Sequence, residues 1–338
     1  MKILITGVGG FIGFHTALRL LKQNKKVVGI DNINDFYDQK LKKDRIRILK
    51  KFSKQNFLFY KKDISKEKEI RKIFGKYKIN VVINLAAQAG VRYSLKNPKE
   101  YLKSNIEGFF NIINFCKEFK VKRLVYASTS SVYGNNTQTP FKESHTADHP
   151  IQFYAATKRS NELIAHAYSS LYGMETIGLR FFTVYGPWGR PDMALFKFVK
   201  NIIKKKTIDV YNYGNHIRDF TYIDDIVNGI ILTINSKKIF YHKKIKKKIF
   251  DPDISDCKFR VLNIGSGNST TLLRYIEIIE KELKITSKKK YFSLQKGDIK
   301  KTLADINNLK KFGYKPKIRP ELGIKNFIEW YKSYYKIN

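Results

Sequence analysis

Cysteine is nearly missing from this chain: only Cys116 and Cys257 occur in 338 residues. A disulfide framework is excluded, and reduced thiols in a cytosol are expected. Long apolar runs are missing as well, and none approaches the roughly 20 residues that a membrane span needs. Met1–Thr6 runs straight into an apolar strand, without the charged region and long apolar stretch of a secretory signal. A cytoplasmic location follows as the expectation. The six histidines supply no metal-ligand cluster, so no metal is expected. Acidic residues are few, 29 against 66 basic ones, for a formal charge of +37. Taken alone, that charge suggests nucleic acid or an anionic membrane as partner. Yet only 13 of the 66 basic residues are arginine, whereas surfaces that clamp phosphates or read bases favour clustered arginine. The lysines are scattered among Ile and Asn, and the densest run, Lys237–Lys248, falls in a predicted loop. The excess reads as a solvated surface, with neither nucleic acid nor membrane as partner. Such a field still attracts a diphosphate.

What is present is enough apolar material for one large or two modest domains: 43% hydrophobic and 14% aromatic residues. Apolar runs predict strands at Lys2–Thr6, Lys26–Ile30, Phe57–Lys61, Val81–Leu85, Arg123–Ser128 and Thr176–Phe181. Helical periodicity falls between them, at Phe11–Gln23, Glu67–Tyr77 and Tyr101–Phe119. That alternation predicts an α/β fold, a doubly wound parallel sheet with helices on both faces. No repeat of fixed period occurs. After about residue 180 the alternation loosens, and loops appear at Tyr185–Pro191 and Tyr213–Asn215. Residues 1–180 are therefore expected to form the first domain, with segments near 220–235 and 260–265 returning to it. A smaller C-terminal α/β region, mainly 181–338, would sit on its rim.

Between the first strand and first helix stands Thr6-Gly-Val-Gly-Gly-Phe-Ile-Gly13, with Gly7, Gly10 and Gly13 spaced G-x-x-G-x-x-G. Glycines there allow a tight turn, close approach to a pyrophosphate, and close packing of helix on sheet. The helix N-terminus then offers unpaired N–H groups to phosphate. Asp31 ends the second strand, where a carboxylate accepts both ribose hydroxyls and repels a 2′-phosphate. NAD is thus expected as cofactor, in preference to NADP. Asp63-Ile64 follows the third strand, where it either contacts adenine or caps the next helix.

Tyr154-Ala-Ala-Thr-Lys158 puts a phenol and an ammonium four apart on one helix face. A nearby cation lowers a phenol's pKa toward working pH, which would turn Tyr154 into a base. About two dozen residues earlier, Ala127-Ser-Thr-Ser-Ser-Val-Tyr-Gly134 closes a parallel strand. Ligands of open α/β sheets bind at that edge.

Six motifs in order complete the pattern: the glycine turn, Asn84-Leu-Ala-Ala87, Ser-Thr-Ser-Ser-Val-Tyr-Gly134, Tyr154-x-x-x-Lys158, Arg180-Phe-Phe-Thr-Val-Tyr-Gly-Pro187 and Arg218-Asp-Phe-Thr-Tyr-Ile-Asp-Asp225. Together they resemble the extended short-chain dehydrogenase/reductase superfamily that modifies nucleotide sugars on a Rossmann-type sheet. Asp31-Asn-Ile-Asn-Asp-Phe-Tyr-Asp38, Ala87-Gln-Ala-Gly-Val-Arg-Tyr-Ser94 and Gly186-Pro-Trp-Gly-Arg-Pro-Asp-Met193 look, more narrowly, like UDP-glucuronate 4-epimerases.

The resemblance implies that Tyr154 takes the C4 hydroxyl proton while hydride passes to NAD. The 4-keto sugar then turns over, and the hydride returns to its other face. By position, Thr129 shuttles the proton and Lys158 orients the nicotinamide ribose. Phe11, Ile12, Asn32, Leu85, Ala86 and Ala87 join the cofactor site. A 4-keto uronic acid loses CO2 readily, so its carboxylate must be held. Arg190 can clamp it bidentately, with Ser130, Ser131 and Thr183 as neutral donors, or it can simply pair with Asp192. Ser130 and Ser131 stand where dehydratase and decarboxylase relatives carry acids, and serines cannot act as acids near neutral pH. Arg218 and Asp298 would meet the diphosphate and uridine, with the smaller region as the nucleotide-sugar site. Arg92 either reaches the substrate or bridges the two regions. Epimerisation of a neutral UDP-hexose and decarboxylation of UDP-glucuronate remain the alternatives. The resemblance also implies a homodimer built through two helices per subunit.

Overall fold

A computed structural model describes residues 1–236 and 251–337, so the basic run Lys237–Lys248 lies outside the described residues. Seven parallel strands form the central sheet. Six of them are β1 (Lys2–Thr6), β2 (Lys26–Asp31), β3 (Phe57–Lys61), β4 (Val81–Asn84), β5 (Arg123–Thr129) and β6 (Glu175–Phe181). The seventh is Phe259–Ile264, and the order runs Phe259–Ile264, β6, β5, β4, β1, β2, β3. The chain moves outward from β1 to β3, then crosses back to start again at β4. The strand order therefore reverses between β1 and β4, and a crevice opens at their C-terminal ends.

Both faces are covered, and side chains alternate between two cores. Ile5, Ile83 and Val125 join Phe14 and Leu20 of α1 (Phe11–Lys22) on one face. Leu4, Val82 and Leu124 join Ile70 and Phe74 of α3 (Glu67–Lys76) and Phe109 and Ile112 on the other. An unforeseen helix, α2 (Gln39–Phe52), stands between β2 and β3, started by the Asp38 carboxylate accepting from the Lys40 N–H. Charged residues hide its periodicity, since only Leu41, Ile46 and Leu49 of its six buried positions are apolar, the others being Lys42, Asp44 and Arg45. The helix expected over 101–119 also differs. It runs as Pro98–Tyr101, a wide π-helical segment Leu102–Glu107, and Gly108–Glu118.

The helix Ile223–Asn235 returns to the first sheet, where Asn228 accepts from Arg19 of α1 at 2.8 Å. The remaining C-terminal segments make three two-stranded sheets and a third core. In that core Phe196, Val199, Tyr275, Ile276, Phe327 and Tyr331 pack around Ile208 and Val210. Among the described residues no helix is long and apolar enough to cross a membrane.

Candidate active site

Gly7 leaves β1 with φ +73°, and a Cβ on it would stand 2.7 Å from the Ala86 nitrogen beyond β4. A Cβ on Gly13 would meet the Gly7 carbonyl oxygen at 2.1 Å. These two glycines let α1 begin directly at the crevice. Its N-cap, Gly10, supplies no side chain, and no acid stands in the first turn. The leading N–H groups are therefore left for an anion. Asp31, at the end of β2, accepts from the Gly9 N–H at 2.9 Å and the Ile33 N–H at 2.8 Å. Burial pushes its carboxyl up, while those bonds and the charge of Lys42 pull it down. A carboxylate has about four acceptor positions, so two remain for ribose hydroxyls. The cradle too tight for a Cβ, the uncapped helix and the acid together fit NAD. Asp63 accepts from the Ser65 N–H at 3.0 Å, the Ser65 hydroxyl and Asn32, so it shapes the entry to α3 while facing the cleft.

β5 ends at Thr129, whose hydroxyl accepts from the Ser131 N–H at 3.2 Å and starts a 3-10 turn. The helix Phe153–Tyr172 then brings Tyr154 and Lys158 to the same cleft. One turn further, buried Glu162 receives a two-armed contact from Arg180, 2.9 Å at each arm, and a hydroxyl bond from Ser128. That network ties the helix to the ends of β5 and β6. Burial pushes the Tyr154 phenol up, and the Arg190 charge and the Thr129 hydroxyl pull it down. Lys158 stands one turn further along the same helix face, and burial lowers it to about 8, against the opposing pull of Glu162.

The segment Gly186–Met193 carries Arg190, whose Nε donates to Asp192 Oδ1 at 3.0 Å and whose Nη2 donates to Oδ2. Of the two readings left open, the Asp192 pair is therefore formed. It uses the Nε–Nη2 edge, and the guanidinium keeps a second edge between its two terminal nitrogens. Arg190 also stands 5.9 Å over the Phe36 ring. Across the cleft, Asp298 gathers Arg92 at 3.5 Å, Arg218 at 3.4 Å and His216 at 3.6 Å. Arg92 thus makes the inter-region bridge, and stands 5.2 Å over Tyr211. Two guanidiniums share one carboxylate there, leaving a positive surplus suited to a diphosphate.

All the expected residues line one cleft of about 780 Å³. Gly7, Gly10, Phe11, Ile12, Gly13, Asp31, Asn32, Asp63, Ile64, Leu85, Ala86 and Ala87 form one end. Thr129, Ser130, Ser131, Tyr154, Lys158, Thr183 and Arg190 form its middle, and Arg92, Arg218 and Asp298 its other end. Sequence reasoning missed Lys42, Arg45, Asn105 and His216. Lys42 Nζ donates to the Asn34 carbonyl at 2.8 Å, and burial lowers it to about 8. Asn105, turned inward by the π-helical segment, accepts from the Gln88 N–H at 2.8 Å and donates to Thr157 at 3.0 Å. It thereby joins the loop after β4 to the Tyr154 helix. His145 and His149 stand four apart, but among the described residues no group of three or more His, Cys, Asp or Glu could hold a metal.

Fold and site define a dinucleotide-binding α/β enzyme with a phenol and a guanidinium beside the cofactor cleft. A family model, the NAD dependent epimerase/dehydratase family, matches residues 3–244, and the chain belongs to that family. Protein CapI of Staphylococcus aureus is 49% identical over 337 residues, which span 99% of this chain and 100% of CapI. UDP-glucuronate 4-epimerase 1 of Arabidopsis thaliana is 42% identical over 344 residues, spanning 100% of this chain and 78% of that protein. Among solved structures, UDP-glucuronic acid 4-epimerase from Bacillus cereus, in complex with UDP-glucuronic acid and NAD, matches with a TM-score of 0.88. It is 32% identical, and the match covers 99% of this chain and 100% of that one.

Proposed function

We propose that this chain is a nucleotide-sugar 4-epimerase that interconverts UDP-glucuronate and UDP-galacturonate with bound NAD. The observation that carries this reading is that Tyr154, Lys158, Thr129 and Arg190 line one cleft with the glycine turn and Asp31, and that Ser130, Ser131 and Thr183 beside them are neutral. Bound NAD supplies a reversible hydride acceptor, so C4 passes through a ketone and inverts without net oxidation. Gly7, Gly10 and Gly13 with the α1 N-terminus hold its pyrophosphate, and Asp31 its ribose. Tyr154 removes and returns the C4 hydroxyl proton, with the Thr129 hydroxyl as the neighbouring relay. Lys158 donates to the nicotinamide ribose. The free edge of Arg190 takes the sugar carboxylate, flanked by Ser130, Ser131 and Thr183, and keeps the C5–C6 bond from aligning with the π system of the C4 carbonyl. Arg218, Arg92 and Asp298 receive the diphosphate and uridine. Ser130 and Ser131 offer no acid for dehydration or decarboxylation.

The test is product analysis by NMR after incubation with UDP-glucuronate and no added NAD. UDP-galacturonate should accumulate to equilibrium, and Tyr154→Phe should lose at least about 10³-fold in kcat while retaining NAD. An inert uronate, or a pentose with CO2 released, would overturn the reading.

The chain is further read as a cytoplasmic homodimer whose partner molecule is the UDP-sugar. Unpaired Cys116 and Cys257 suit a reducing compartment. Leu102, Phe110 and Leu163 are each about half exposed on neighbouring helices, a face suited to a second copy. Residues 1–180 with the returning segments form the cofactor half, and most of 181–338 the sugar half.

A further inference from the structure

Arg45, on the inner stripe of α2, is completely buried, yet among the described residues no carboxylate lies within ion-pair distance of it. A buried cation without a counter-charge is costly unless its donors are used. Four oxygens use the four Nη donors, and Nε is left without a hydrogen-bond partner among the described residues. Nη1 donates to the Gly9 carbonyl and the Tyr37 hydroxyl, each at 2.8 Å. Nη2 donates to the Trp188 carbonyl and, at 3.3 Å, to the Gly189 carbonyl. His15 of α1 meets the preceding carbonyl, Pro187, at 2.9 Å. Burial drives His15 down to about 4, so the ring is neutral and donates from Nε2. Three successive carbonyls of the 187–189 segment therefore end on side chains of the cofactor half.

The segment needs that support. Trp188 has φ +61°, a left-handed backbone that is unfavourable for a bulky side chain. Its ring is wedged against Phe14, Trp330 and Tyr334. The next side chain but one is Arg190. On the cofactor side, Gly9 accepts from Arg45 through its carbonyl and donates to Asp31 through its N–H. One chain of hydrogen bonds thus runs from the ribose acid, through the glycine turn and Arg45, to the backbone that carries Arg190.

We propose that Arg45 is a positioning residue for uronate recognition: it braces residues 187–189 against the glycine turn and so sets where Arg190 meets the substrate carboxylate. This inference rests on the epimerase reading given above. Only a planar fork reaches oxygens on both loops at once, and a lysine ammonium, a point donor, cannot. With the brace loosened, the carboxylate rotates and the 4-keto intermediate gains a leak. In that leak the C5–C6 bond breaks, its electron pair moves toward the C4 carbonyl, CO2 departs and C5 takes a proton from water; the UDP-4-ketopentose left would become a UDP-pentose when the hydride taken from C4 returns to it and the oxygen is reprotonated.

The experiment compares NAD-loaded wild type and Arg45→Lys by calorimetric titration with UDP-glucuronate and with UDP, alongside NMR of the products. Wild type should prefer UDP-glucuronate to UDP. In Arg45→Lys that preference should fall at least tenfold while UDP affinity stays within about twofold, and UDP-pentose should appear among the products. An unchanged preference with clean products overturns the proposal, as does an equal loss of affinity for both ligands. Should Arg45→Lys fail to fold, His15→Ala loosens the Pro187 end of the same brace. It should move the preference in the same direction, and no movement overturns the proposal. A wild-type protein that does not epimerise UDP-glucuronate defeats the underlying reading, and this proposal with it.

Discussion

Lys158 shows how a side chain that serves the site can work against the fold. The residue is 2% exposed, and burial lowers its pKa from 10.5 to about 8. At pH 7 it is protonated in both folded and unfolded states, so the folded chain bears the full desolvation penalty. Between pH 8 and 10.5 the unfolded chain holds a proton that the folded one has lost, and stability from this group rises with pH. Lys158→Met should therefore stabilise the NAD-stripped protein at pH 7, by up to about 3 kcal/mol. The gain should shrink toward pH 10. Activity should fall at least about 10²-fold, since the ribose donor is gone. Urea unfolding at a series of pH values reads this directly, and a destabilised variant at pH 7 would refute it. Tyr154 and Lys158 are legible in sequence because an i, i+4 pair on a helix face needs no distant information. Arg45 is not, because its partners are carbonyls about 36 and 143 positions away. Nothing local separates it from a solvated cation in a lysine-rich helix. The pairing of Arg190 with Asp192 spans only two residues and was legible for that reason; the pair is formed, and a second guanidinium edge stays free.

At the scale of elements, the crevice owes its shape to β1 and α1 meeting through a turn with no room for a side chain. Gly13→Ala would drive a methyl to 2.1 Å from the Gly7 oxygen, and backbone must move to relieve it. Helix α1 would tilt away from the switch point and its leading N–H groups would leave the pyrophosphate. The purified variant should carry little or no NAD and unfold with roughly 1–3 kcal/mol less stability. Nucleotide content measured after denaturation checks this, and full NAD occupancy would contradict it. All six strands expected from apolar runs are present, with ends shifted by no more than one residue. Strands buried on both faces leave continuous Val/Ile/Leu runs that little else imitates. What escapes is the content of helices. In α2, lysines interrupt the stripe. Over 102–107 the backbone widens because Asn105 must reach both Gln88 and Thr157, a tertiary demand that periodicity does not record.

For the whole molecule, one surplus of charge would act with opposite sign on the two associations proposed above. A formal +37 favours a ligand that carries diphosphate and carboxylate, and a positive group surrounds Asp298. The same surplus would set two copies of the chain against each other in the proposed homodimer. Salt screens both effects, with a Debye length near 10 Å at 0.1 M. Raising ionic strength from about 0.02 to 0.3 M should lower kcat/KM several-fold through slower capture, and over the same range should tighten dimerisation. The face itself is tested by Phe110→Glu with Leu163→Glu, both side chains being about half exposed on helices flanking Leu102. Light scattering should then give the monomer mass at all salt concentrations. All the candidate catalytic and binding residues named above come from one chain, so the monomer should keep most of its turnover. A dimer persisting in the double variant places the contact elsewhere, and a dimer that weakens with salt means that attraction between charges, rather than apolar burial against repulsion, holds it together.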